Sequence, residues 1–253
     1  VEGLEGEEKR AGEKEGPHGR ASCMAPPIET ENVFNVFQPG LRRGSARMPY
    51  SPKKRYFYVE HPTEGWRVYL RSACFMHPMY EPFNAAHFLV VKRTGGKEEK
   101  ASWEPPKGQM EFKDTEGGGG RRRRNVYELL CDNIRREVDE EAKISKLREL
   151  RHTGIVVQSR EPDYPPNVYF QYHVFTALVH PAHIYGAFHA FDWYEQNKEA
   201  FDTLPADQRE KDAIAWADEG DKKKMMGRWA PTIVKLYLKQ YGDHPDRGTT
   251  YSS

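Results

Sequence analysis

Cysteine is scarce in this sequence: Cys23, Cys74 and Cys131 are the three among 253 residues, and no two stand in Cys-x-x-Cys spacing. That excludes a disulfide-built scaffold and a cysteine zinc site, and it fits reduced thiols. An intracellular, cytoplasmic setting is expected, with a nuclear one as the alternative. Long apolar runs are also missing. No stretch reaches the roughly 18–20 residues of a bilayer-spanning helix, and none has the apolar core of a secretion signal, so no membrane partner is expected. Nor is there an excess of one charge. Lys and Arg number 39 against 38 Asp and Glu, a formal net charge of +1. The global field therefore does not mark a nucleic-acid binder, and only a local patch could. The sequence opens on Val1 in place of methionine, and its natural start is expected to lie upstream.

What is present is enough apolar and aromatic material for a core, 37% and 12% of residues. A charged fraction of 30%, with 21 glycines and 18 prolines, points to loop or tail as well. Residues 1–45 read as an unstructured tail, with order starting near Arg55. Residues 46–242 read as one domain and residues 243–253 as a second tail. Within the domain, "RYFYVEHPTEGWRVYLRSACFM" reads as a hairpin turning at Pro62–Gly65, and "AAHFLVVKRTGG" as a buried strand closed by glycines. "RHTGIVVQS" and "NVYFQYHVFTALV" are two more strands, divided by a proline-rich loop. "FHAFDWYEQNKEAF" reads as a helix, and "LPADQREKDAIAWADEGDKKK" as a polar connection with a helical turn or two. "APTIVKLYLKQYG" reads as a helix from Pro231 to Gly242, with Ile233, Val234, Tyr237, Leu238 and Tyr241 on one apolar face. Strands, a central helix, more strands and then helices predict an α+β fold, a mixed central sheet with helices on both faces in an α/β/α sandwich.

The central helix carries the chemistry. Asn125 is a candidate N-cap, and Val126, Leu129, Leu130, Ile134, Val138 and Ala142 follow at three- and four-residue steps. Glu137, Glu140 and Glu141 fall together on one side. Like charges at that spacing repel, and a helix C-terminus disfavours anions. A solvated acidic face is the plain reading of such a stretch. A divalent cation between the carboxylates is the sharper one, because Mg²⁺ takes hard oxygen ligands. Upstream, "PPKGQME" is a turn whose glycine lets backbone approach a metal or phosphate closely, and Lys107 could meet a phosphate as a point charge.

Together these two stretches resemble the Nudix box: Gly, five residues, Glu, seven residues, then Arg-Glu-apolar-any-Glu-Glu-any-Gly-apolar. Gly108 takes the first place, "QMEFK" follows, and Asp114 stands for the glutamate. Arg136 to Ile144, "REVDEEAKI", fills the second half. The chain departs from the pattern in three ways. Residues 115–135 are about fourteen more than the usual seven, and "TEGGGGRRRRN" is the evident insert. Lys143 replaces a glycine at the helix end, and Asp114 is shorter than Glu. An insertion there is tolerable because loop closure grows costly only slowly with length.

The resemblance implies a Nudix-type fold and a hydrolase that splits a phosphoanhydride in a nucleoside-diphosphate-linked substrate, with Mg²⁺ or Mn²⁺. The Pro-Lys-Gly turn is similar to that of members acting on dinucleoside polyphosphates, on capped mRNA and on diphosphoinositol polyphosphates, and capped mRNA or a dinucleoside polyphosphate is the expected substrate. It implies metal ligands at Gly108, Glu137, Glu140 and Glu141, a catalytic base at Glu140 or Glu141 or on a later loop, and Arg136 paired with Asp114. Glu161 and Asp163 are the later acids considered, and Glu111 an outer ligand. Lys107 and the run Arg121, Arg122, Arg123 and Arg124 are candidate substrate contacts. The arginines are the candidate site for RNA, extended by "SPKKRYF" and "DKKKMMGRW". Trp103, Tyr164, Tyr169 and Phe170 could sandwich a base, though core packing also accounts for them. His77, His87, His152, His173 and His189 read as structural. The rival reading is a Nudix-fold module that binds RNA or nucleotide without catalysis.

Overall fold

Side chains along Arg67–Pro78 alternate between two cores. Val68, Leu70, Cys74 and Met76 belong to one buried cluster, while Ala73 and Phe75 belong to another. A strand buried on both faces has to be apolar nearly throughout, and this one is central. In a computed structural model that describes residues 28–29, 32–95, 103–113, 124–218 and 229–242, it is the fourth of ten strands. They run β1 Ile28–Glu29, β2 Arg42–Met48, β3 Ser51–Glu60, β4 Arg67–Pro78, β5 Leu89–Arg93, β6 Trp103–Glu104, β7 Lys107–Gln109, β8 Arg148–Ser159, β9 Val168–Val179 and β10 Lys211–Trp216. The helices are α1 Val126–Ala142, α2 Pro181–Gln196, α3 Lys198–Asp202 and α4 Ala230–Tyr241. A 3₁₀ turn covers Ala206–Gln208.

The larger sheet has seven strands in the order β1-β8-β9-β4-β3-β2, with β7 added on β4. β4 and β9 are parallel and its other pairs antiparallel, so the sheet is mixed. A second sheet runs β10-β5-β6. Helices α1 and α2 pack in the core on the even-numbered side of β4, through Leu130, Ile134 and Phe191 among others. α4 packs on the other side, where Tyr237 stacks on Phe75 at 3.7 Å. The expected α+β sandwich with helices on both faces is the fold found. No helix among the described residues is long and apolar enough to cross a membrane. Cys74 and Cys131 are free buried thiols.

Three expectations change. Strand β2 begins at Arg42, inside the span read as tail, and pairs with β3 from Arg42↔Glu60 onward. Order therefore starts well before Arg55. The connection after Leu204 contains a strand, β10, paired with β5. The helix expected from Phe188 starts at Pro181, capped by His180, and breaks at Asn197. Asp114, the glycine run, Arg121, Arg122, Arg123 and the stretch 219–228 lie outside the described residues, as do residues 1–27 and 243–253.

Two histidines are buried at 2% and 1% exposure, consistent with a structural role. His77 Nδ1 lies 2.9 Å from the His87 carbonyl, which can only accept. Its Nε2 therefore accepts from the Tyr237 hydroxyl at 2.6 Å. Burial lowers its pKa to about 4. His173 lies between His152 and the Gln171 amide oxygen. Burial first, then His152, lowers it to about 3. Both are neutral in the fold and protonate near pH 6.5 when unfolded. Their stabilising contribution is full above pH 6.5 and is lost as pH falls toward 4 and 3, because the unfolded chain then binds more protons. Urea unfolding should lose up to about 1.4 kcal/mol per pH unit for each histidine between pH 6 and 5. His77→Gln and His173→Gln should flatten that slope, and equal slopes in all three proteins would refute the assignment.

Candidate active site

Helix α1 starts where the sequence placed it. The Asn125 side chain accepts from the Glu128 amide, and the Glu128 carboxylate accepts from the Asn125 amide, each at 2.8 Å, a complete capping box. Its apolar face is buried from Val126 to Ala142. Asn133, buried on the same helix, donates to Ser72 Oγ of β4 at 2.6 Å and so ties the helix to the central strand. The helix ends on Lys143, which adopts the left-handed conformation at φ 59°. A glycine would enter that region without strain. Here the Lys143 ammonium holds the turn by donating to the carbonyls of Glu140 at 2.7 Å and Gln208 at 2.6 Å.

The turn and helix halves of the motif meet. A Cβ built on Gly108 would overlap the Glu137 carboxyl group, so a glycine is what admits Glu137 to this position. One residue earlier, the Lys107 amide donates to Glu141 Oε2 at 2.9 Å. Gly108, Glu137, Glu140 and Glu141 line one polar cleft of about 130 Å³, together with Lys54, Tyr56, Lys107, Gln109, Glu111, Arg136, Asp207 and Glu210.

Cations hold the carboxylates. Arg136 donates to Glu137 Oε1 and Glu140 Oε2, both at 2.6 Å, and to the Asn133 side-chain oxygen at 3.0 Å. The expected partner of Arg136, Asp114, lies outside the described residues. Burial pushes the Glu137 carboxyl up to about 8; Arg136 opposes the shift, and Glu141 and Glu140 add to it. Burial likewise raises Glu140 and Glu141. Beneath them, Lys211 is 3% exposed, its ammonium 2.5 Å from Glu104 and 3.0 Å from Glu141. Glu104 also takes the Lys107 ammonium at 2.9 Å. Burial acts to raise Glu104, but Lys107 and Lys211 outweigh it and hold Glu104 below the usual range. Glu141 shares Lys211 at the longer distance and stays on the raised side.

Lys107 lines the cleft, while other sequence candidates sit elsewhere. The Lys107 ammonium is engaged with Glu104. Arg124 pairs with Asp132 on the helix, and its carbonyl accepts from Arg43 at 2.7 Å. Glu161 is paired with Arg71 at 3.8 Å, away from the cleft, and Asp163 is exposed. The later acids that do line the cleft are Asp207 and Glu210, on the turn that Lys143 holds. Glu111 lines it too, bound by Lys54 at 2.8 Å and Lys113 at 3.4 Å. Lys211, Glu104, Asp207, Glu210 and Asn133 gave no local signal. Each acts on residues remote in sequence or stands beside a strand read as connection.

Do these residues suit a hard divalent cation? The donor chemistry does: three carboxylates and a glycine backbone packed against one of them, in a polar cleft. Among the described residues no three acidic, histidine or cysteine side chains converge in ligand geometry. In this arrangement Arg136, Lys211 and the Lys107 amide engage carboxylate oxygens that a cation would share.

No protein-family model matches the sequence. No curated protein matches it. Among solved structures it is similar to a mutant of the Bacillus subtilis pyrophosphohydrolase BsRppH, 11% identical over 79% of this chain and 96% of that one, with a TM-score of 0.39. It is also similar to a NUDIX hydrolase from Nitrosomonas europaea, 14% identical over 82% and 91%, TM-score 0.35. A third is a mutT/nudix family protein from Listeria innocua, 17% identical over 68% and 97%, TM-score 0.27.

Proposed function

We propose that this chain is a metal-dependent pyrophosphohydrolase of the Nudix type, splitting a phosphoanhydride in a nucleoside-diphosphate-linked substrate. One observation supports it above the rest. Gly108 and Glu137, nearly thirty residues apart and divided by the insert, are packed so closely that any side chain at 108 would displace the Glu137 carboxyl group. That contact is what the two-part motif requires.

Glu137, Glu140, Glu141 and the Gly108 carbonyl are the groups that would hold Mg²⁺ or Mn²⁺. Such an ion, when bound, neutralises phosphate oxygens and makes a water more acidic. The chain's own contribution is positioning. Asn133 fixes Arg136, and Arg136 fixes Glu137 and Glu140. The Lys107 amide and Lys211 fix Glu141 from both sides. Lys54, its side chain 41% exposed, neutralises Glu111 in the same cleft. Glu140, Glu141, Asp207 and Glu210 also line it, and one of them would accept a proton from the attacking water.

The test is hydrolysis, with and without Mg²⁺ or Mn²⁺, of capped RNA, dinucleoside polyphosphates, ADP-ribose, nucleotide sugars and nucleoside triphosphates. Divalent-dependent release from at least one is expected, and none from any would leave only a binding module. A salt series separates capped RNA, whose turnover should fall steeply with ionic strength, from a small nucleotide. Gly108→Ala should lower turnover about 100-fold through displacement of Glu137, with the circular dichroism spectrum unchanged. Retained turnover in that variant would break the link between the two halves.

A further inference from the structure

A cavity of about 610 Å³ opens where β4 and β9 end side by side. Pro78 is level with Val179 in that parallel pair, and the Met79 amide donates to the Val179 carbonyl at 2.8 Å. On the other edge of β9, Arg148 begins β8 opposite Leu178, and α2 starts at Pro181. The cavity shares no lining residue with the acidic cleft. Its walls are basic. Lys146, Arg148, His180 and His183 line it, and Glu149 is the one acid among the described residues that do. Arg151 engages that acid at 2.7 Å. Among the described residues no ion pair or hydrogen bond engages the side chain of Lys146 or Arg148. His180 Nδ1 accepts from the Ala182 amide at 3.1 Å, capping α2. In the neutral ring the proton is therefore on Nε2, a donor that the cap does not use. The Tyr80 ring, on a residue 74% exposed, meets His180 edge-on at 5.6 Å and forms another wall. Tyr80 at φ 74° and Glu149 at φ 47° occupy the left-handed region, which residues other than glycine seldom enter. Of the three such residues among those described, two line this one cavity. Strain of that kind gathers where a ligand is clamped.

Single unpaired cations are ordinary on a protein surface. Here two of them, two imidazoles and an aromatic ring border a space of the size that holds a small organic ligand. We propose that this cavity is a binding site for a small phosphate monoester, with Lys146 and Arg148 on the phosphoryl oxygens and Tyr80 against the organic part. The charges match. A phosphate monoester carries about −1.5 to −2 at pH 7, against one positive charge each on Lys146 and Arg148. A carboxylate would answer only one of the two. Arg148 supplies a planar fork of donors, Lys146 a point charge, and His180 Nε2–H a neutral donor. The Ala182 amide is already taken by the His180 ring, so side chains hold the anion and the helix end does not. The proposal stands apart from the hydrolase reading, because no residue in it belongs to the acidic cleft.

The experiment is calorimetric titration of the full chain in EDTA, which keeps a divalent ion from carrying phosphate to the acidic cleft. The probes are AMP, ribose 5-phosphate and inorganic phosphate, with adenosine and ribose as phosphate-free partners. AMP or ribose 5-phosphate should bind about tenfold more tightly than its phosphate-free partner and than inorganic phosphate. AMP ahead of ribose 5-phosphate assigns a nucleotide, and the reverse order a sugar phosphate. Replacing both cations, Lys146→Ala with Arg148→Ala, should remove about tenfold or more of the ester's affinity. Both side chains are on exposed residues, so the melting temperature should not move. His180→Asn keeps a good N-cap and should weaken the ester about threefold by deleting the ring donor. Lys198→Ala, at an exposed cation on α3, should change nothing. No binding of either ester, equal binding of its phosphate-free partner or of inorganic phosphate, or full affinity in the double variant would each overturn the site. An equal loss in Lys198→Ala would do so too, since the attraction would then be to the surface at large.

Discussion

Glu141→Gln is expected to lower divalent-dependent turnover by at least about 100-fold, the scale for removing a catalytic base or a charge-stabilising group. The side chain is 5% exposed, and its two oxygens take two different donors, the Lys107 amide and the Lys211 ammonium. Glutamine has one oxygen. It can serve one of them while its NH₂ is turned against the other, and it removes a charge from the cleft. Glu140→Gln is expected to fall as far, for a simpler reason: it loses its Arg136 pair and an anionic oxygen at the half-open side of the same cleft. Manganese titration separates the causes. Weaker metal binding in either variant assigns a ligand, and unchanged binding with lost turnover assigns a proton acceptor. Wild-type turnover in both would end the site assignment.

The second large effect is on stability. Lys211→Met keeps most of the stem and removes the ammonium from between Glu104 and Glu141. Two carboxylates would then face one another in the interior, with the Lys107 ammonium and amide left to compensate. Breaking a buried ion pair from one side costs about 3–5 kcal/mol, because the remaining charge stays desolvated. Urea unfolding should register that loss. Adding Glu104→Gln should restore more than half, since only Glu141 then remains ionised and it keeps the Lys107 amide. A loss below about 1 kcal/mol in the single variant, or no recovery in the double, would show that Lys211 is not the counterion of this buried group.

Much of this site could be read locally. The Asn125 cap, the apolar face of α1 and the spacing of Glu137, Glu140 and Glu141 all depend on neighbours within a few turns, and each was found where periodicity put it. The Gly108–Glu137 contact followed from motif spacing, not from any local rule. What escaped was non-local. Lys211 sits in "REKDAIAW", where charge density suggests solvent, yet its partner Glu104 is 107 residues away. Asn133 falls within the apolar run of α1, and its partner Ser72 is 61 residues away. Strand β2, "RRGSARM", buries Met48 alone and shows no alternation. It is held by its backbone pairing with β3, which composition cannot reveal.

The reciprocal bonds between Asn125 and Glu128 have a practical consequence. They set the rotational phase of α1 from inside its own first turn, so the carboxylates point the same way whatever length of chain feeds into the helix. A change in the number of residues that precede Arg124 would therefore leave that phase as it is. An affinity tag or fluorescent reporter grafted into the sequence ahead of the cap would not re-aim Glu137, Glu140 and Glu141.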